Sequence, residues 1–120
     1  SPGLLPAASW TGLMAHLDQH FGEDASLDAG LATRLRSWLV ANAAEHWDTL
    51  PAVRIRQSID PKDPARITAS GFWQRMHRRI PAATFANKEV GSRGACNACH
   101  MDAASGRFAP QSIEIPEDLQ

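Results

Sequence analysis

The sequence predicts a mainly α-helical chain of two short helical units joined by a proline-rich linker. Two observations carry this reading. Apolar residues recur at helical spacing in two N-terminal stretches, Trp10, Leu13, Met14, Leu17 and Phe21, then Leu31, Leu35, Trp38, Leu39 and Val40. Between these and the C-terminal third, Pro51, Pro61 and Pro64 interrupt any long helix. At 120 residues there is room for one domain or two very small ones. A net charge of −1 gives no broad basic field for nucleic acid and no acidic one. Four tryptophans and no tyrosine suit a packed helical protein.

The elements follow in order. Residues 1–8 form an extended opening loop with Leu4 and Leu5 to bury, and Ser9 is the expected N-cap of a first helix that Gly22 stops. Asp28 caps a second helix running to about Ala44. Residues 48–70 read as the linker, in which Val53, Ile55 and Ile67 form at most short extended pieces. A third helix covers Gly71 to Arg79, with Phe72, Trp73, Met76 and Ile80 apolar and Pro81 ending it. A loop spans 82–94, a fourth helix opens near Cys96 and fades by Gly106, and the tail is irregular. No stretch is long and apolar enough to cross a bilayer.

The chemistry is concentrated in Cys96-Asn97-Ala98-Cys99-His100, the attachment pattern of a c-type haem. Two thiols at this spacing can add to the two vinyl groups along one porphyrin edge. The histidine that follows at once is then held under the ring, ready to bind the iron. Zinc would need two further ligands, and there is no second cysteine pair. A redox dithiol would need a strand-helix-strand setting that the pattern lacks. The expected fold is thus a small c-type cytochrome packed around haem. Such haem is attached outside the bacterial cytoplasm. The chain opens Ser1-Pro2-Gly3, and a periplasmic chain with its signal peptide removed is the expectation.

The opposite axial position has several candidates: His16, His20, His46 and His77, with Met14 and Met76 as thioether alternatives. Met101 adjoins His100 and cannot reach over the ring. His77 is favoured. Trp73 lies one turn earlier on the same face, and Arg75, Arg78 and Arg79 around it suit haem propionates. The bland reading makes His77 a surface residue of a basic helix. His16 and His20 could clamp a metal with Glu23 or Asp24, although such pairs are usually a solvated face. His46 follows a helix end, where it can interact with the last carbonyls.

Several stretches together resemble the bacterial dihaem cytochrome c family. They are Pro2-Gly3-Leu4-Leu5-Pro6, Ser9-Trp10, His20-Phe21-Gly22-Glu23-Asp24-Ala25-Ser26-Leu27 and Trp38-Leu39-Val40-Ala41-Asn42-Ala43-Ala44. With them go Arg66-Ile67-Thr68, His77-Arg78, Ile80-Pro81, the haem signature and Gly106-Arg107-Phe108. In that family a first Cys-x-x-Cys-His lies a few residues before the Pro-Gly-Leu-Leu-Pro loop. This sequence opens just past that position. The resemblance therefore leaves two readings, a chain without its N-terminal haem segment or a one-haem relative.

In the first reading His20 is the distal ligand of a second haem c, and residues 1–47 resemble the rest of a monohaem cytochrome unit. Residues 71–120 form the C-terminal haem unit, with His100 and His77 axial. The resemblance implies a non-enzymatic, periplasmic electron carrier. Its partners would be redox proteins, an oxygen-binding cytochrome c and a membrane b-type cytochrome. The alternative function is a gas-binding or sensing haem protein with a displaceable distal ligand. A peroxidase lacks support, since no dedicated acid/base pair is evident.

Overall fold

The computed structural model describes residues 1–119. Among these the architecture is helical, with five short α-helices, several 3-10 turns and no strand. They are α1 (Ala7–Ala15), α2 (Ala29–Ala41), α3 (Leu50–Arg56), α4 (Gly71–His77) and α5 (Ala82–Ala86).

The opening loop is the first piece of core. Pro2–Leu4 forms a 3-10 turn capped by the Ser1 hydroxyl, which accepts the Gly3 N–H. It buries Leu4 and Leu5, while Leu5 O accepts the Ala44 N–H at 2.9 Å. Gly3 is required by close approach. A Cβ there would fall 2.6 Å from the Trp47 ring.

Helix α1 starts two residues before the expected Ser9 cap, and Ser9 is buried within it. Its N-terminus is served from elsewhere in the chain. The Ala7 N–H donates to both Glu45 carboxylate oxygens, at 2.9 and 3.2 Å, and that anion also complements the helix dipole. The helix ends at Ala15, and the chain continues through the 3-10 turn Leu17–Gln19. A reversal then follows in which His20 and Glu23 exchange backbone hydrogen bonds of 2.7 and 3.0 Å. Phe21 and Gly22 both have positive φ, 51° and 87°, as the mirror-image hairpin turns require. Asp28 caps α2 as expected, accepting the Leu31 N–H at 3.0 Å, and α2 packs along α1.

The middle of the chain is more ordered than a linker of short extended pieces. Leu50–Arg56 is helical, with Pro51 in its first turn and Ala52 and Ile55 buried. At that position proline removes no intrahelical bond, so it starts a helix rather than breaking one. Arg56 reaches back to Ala44 O at 2.9 Å. Ser58 then joins α3 to α4. Its carbonyl accepts the Gly71 N–H at 2.9 Å and its Oγ accepts the Phe72 N–H at 3.0 Å. Ser70, fully buried, caps α4 by accepting the Trp73 N–H at 3.2 Å.

Beyond α4, part of the expected 82–94 loop forms α5. The haem signature opens a 3-10 turn, Cys96–Ala98, followed by another at Ala103–Ser105, where a single helix was expected. The tail explains the difference. It returns alongside, so that the Glu114 N–H donates to Cys99 O at 2.7 Å and the Met101 N–H to Ser112 O at 3.0 Å. Those lateral bonds use groups that a continuous helix would claim.

Candidate haem site

The signature residues are drawn together by a tight turn in which the His100 N–H donates to Cys96 O at 2.8 Å. Both thiols are free and half-buried, and burial pushes the Cys96 thiol pKa up. The His100 ring meets Phe108 edge-on at 5.1 Å. Its Nδ1 is buried. Burial holds the His100 imidazole below its ordinary pKa, with the neighbouring His77 adding to the effect and the Asp102 carboxylate opposing it.

Helix α4 brings His77 to the same place. Its ring centre lies 6.1 Å from that of His100, with the planes crossing at 70°. Trp73 stacks on it at 4.3 Å and 16°, and Trp73 O lies 2.7 Å from His77 Nδ1. A carbonyl can only accept, so Nδ1 donates and the Nε2 lone pair stays available to a metal.

This spacing fits a haem. Two imidazoles bound on opposite sides of one metal ion, with metal–nitrogen bonds of about 2 Å, hold their ring centres roughly 6 Å apart. Protein ligands alone do not build a metal site here. No three His, Cys, Asp or Glu side chains converge on one point among the described residues.

The family model for dihaem cytochrome c matches residues 1–108. The chain belongs to the dihaem cytochrome c family. Three solved structures are similar. The diheme cytochrome type c of Shewanella baltica OS155 is 33% identical with a TM-score of 0.74, covering 97% of this chain and 80% of that one. Two structures of the diheme cytochrome c of Rhodobacter sphaeroides are 37% and 40% identical, with TM-scores of 0.65 and 0.69. Each covers 89% of this chain, and 82% and 83% of theirs. No curated protein sequence matches the chain. The fold is thus that of a dihaem cytochrome c, its cofactor is haem c, and its class is haem-based electron transfer. None of its described helices is long and apolar enough to cross a membrane.

The other residues singled out in the sequence lie as follows. Arg75, Arg78 and Arg79 are exposed, and no ion pair engages them among the described residues. Met76 and Met101 are exposed too, as is His46. His16 and His20 line a separate cleft of about 410 Å³ with Leu13, Ala65 and Arg66. In it His20 packs against Phe21 at 4.6 Å, and the Arg66 guanidinium covers Phe21 at 4.5 Å. Three contributors escaped the sequence reading. Phe85 lies 6.3 Å from His77. Arg93 sits over both Trp73 and Phe85, at 5.7 and 5.6 Å from their centres. Asp102 accepts the Ala109 N–H at 2.9 Å, next to Phe108. Only Asp102 carried a signal, its position two residues beyond the signature histidine.

Proposed function

We propose that this cytochrome is a periplasmic carrier of single electrons whose C-terminal haem is held by thioethers to Cys96 and Cys99 and ligated by His100 and His77. One observation carries the reading: two imidazoles stand at the separation a shared metal demands, 6.1 Å, with the His77 Nδ1 already bonded to Trp73 O. The haem iron supplies the one-electron couple when bound. The protein side chains hold both ligands fixed, so little rearranges as charge comes and goes. Two imidazoles also lack the thioether's preference for ferrous iron, so the potential lies below that of a His/Met cytochrome.

In this reading residues 1–47 and 71–120 each serve one haem, with His20 as the distal ligand of the first. Arg75, Arg78 and Arg79, exposed beside His77, pair with propionates or steer docking. The partners are redox proteins that bind briefly through a small interface, including an oxygen-binding cytochrome c and a membrane b-type cytochrome, and the carrier itself is not an enzyme.

The test is a ferrous-CO difference spectrum of the haem-loaded protein and of His77→Ala. The parent is expected to stay low-spin and to take up CO only slowly, at the rate at which His77 leaves, and the variant to turn high-spin and bind CO at once. Ready CO uptake by the parent, or an unchanged low-spin spectrum in the variant, would remove His77 from the iron. The former result would favour a gas-binding or sensing protein.

A further inference from the structure

Two buried polar atoms beside the haem signature lack hydrogen-bond partners, and they are chemically complementary. One is His100 Nδ1 and the other is Asp102 Oδ1. A polar group buried without a partner is costly, so each of these atoms calls for one. When Nε2 of an imidazole binds metal, Nδ1 carries the proton and is a donor, whereas an ionised carboxylate oxygen only accepts. A turn closed by Ala103 N–H to His100 O, at 3.1 Å, holds Asp102 two residues beyond the ligand.

The other carboxylate oxygen is committed. Oδ2 accepts the Ala109 N–H at 2.9 Å. That bond anchors the residue next to Phe108, whose ring rests edge-on against His100 at 5.1 Å. One side chain therefore ties down the segment that walls the proximal imidazole and offers a second oxygen with no other use.

We infer that Asp102 is a positioning residue for the proximal ligand, accepting the His100 Nδ1 proton through Oδ1 once the iron is bound. The inference rests on His100 as an axial ligand in the function proposed above, and it is independent of His77. It makes the two axial imidazoles unequal. His77 donates to a neutral carbonyl, Trp73 O. His100 donates to a carboxylate, which raises the basicity of the ring. A more basic proximal ligand favours ferric over ferrous iron.

The experiment compares haem-loaded Asp102→Asn with Glu114→Gln. Glu114 is an exposed carboxylate whose backbone bonds Cys99, so its loss reports the removal of a charge near the signature without that of a buried acceptor. At a fixed electrode potential Asp102→Asn is expected to shift the C-terminal haem about tenfold towards ferrous, or ~59 mV for a one-electron couple. Glu114→Gln is expected to shift it far less. In the diamagnetic ferrous protein the His100 Nδ1 proton should be exchange-protected and far downfield by nitrogen-edited NMR. It should move upfield in Asp102→Asn alone. Equal potential shifts in the two variants, with that proton unmoved, would overturn the inference. Should Asp102→Asn fail to fold, the parent spectrum decides, because a rapidly exchanging Nδ1 proton there is equally fatal. Failure of the His77 assignment is separately visible as rapid CO uptake by the parent, and the ferrous-CO form remains diamagnetic, so the His100 proton can still be read.

Discussion

The Trp73 indole is the wall against which His77 rests, and Trp73→Leu isolates what that wall contributes. The hydrogen bond from His77 Nδ1 ends on the Trp73 backbone carbonyl and survives the substitution. What disappears is the parallel stack at 4.3 Å, together with the indole contacts to Phe85 and Arg93. A ring stack contributes about 0.5–1.5 kcal/mol beyond area burial. If that energy holds His77 in place, losing it raises the population with His77 off the iron by roughly 2- to 12-fold. In the ferrous protein, CO enters only when His77 leaves. The limiting rate of CO binding at saturating gas, which is the rate at which His77 leaves, should therefore rise by up to the same factor when followed by stopped flow. Trp73 is only 8% exposed, so the variant is also less stable, though by less than the ~3–5 kcal/mol of a full truncation to alanine. A drop in stability with an unchanged limiting rate would refute the reasoning, because it would mean that the indole supports the fold without bracing the ligand.

Two further outcomes follow from the packing. Gly3→Ala places a methyl 2.6 Å from the Trp47 ring, and overpacking of this kind should cost about 1–3 kcal/mol in denaturant unfolding, whereas a neutral result would show that Trp47 can swing aside. Removal of haem should leave no cooperative core: of nine buried apolar residues three are alanines, while nine large apolar side chains stay exposed among the described residues. The haem-free chain should then lose near-UV circular dichroism and bind a hydrophobic dye, and a sharp thermal transition with native near-UV signal would contradict this.

Local pattern made much of this molecule legible. The apolar spacing located α1, α2 and α4, Asp28 was a readable cap, and the cysteine spacing identified the cofactor. His77 could be favoured because Trp73 precedes it by one helical turn, and the structure brings the two rings into a stack. The rest depended on partners distant in sequence. Glu45 serves the α1 N-terminus across 38 positions, which no N-cap pattern near Ala7 discloses. Pro51 reads as a breaker or as a first-turn residue, and only the burial of Ala52 and Ile55 decides. The turns after Cys96 follow from a tail that doubles back to Cys99 and Met101. Arg93 gives no sign in the sequence that it will lie over two aromatic rings.

Helix α3 touches the opening turn, the Ala44–His46 turn and α4, so the N-terminal turns and the helix that carries His77 meet on one element. Tunnelling slows exponentially as the gap between redox centres widens. A carrier that flexed between its halves would exchange charge internally at a rate governed by solvent drag. If each half holds one haem, as proposed above, that shared element fixes the gap when the chain folds, and internal exchange should be indifferent to viscosity, leaving encounter with other proteins as the step that crowding can slow.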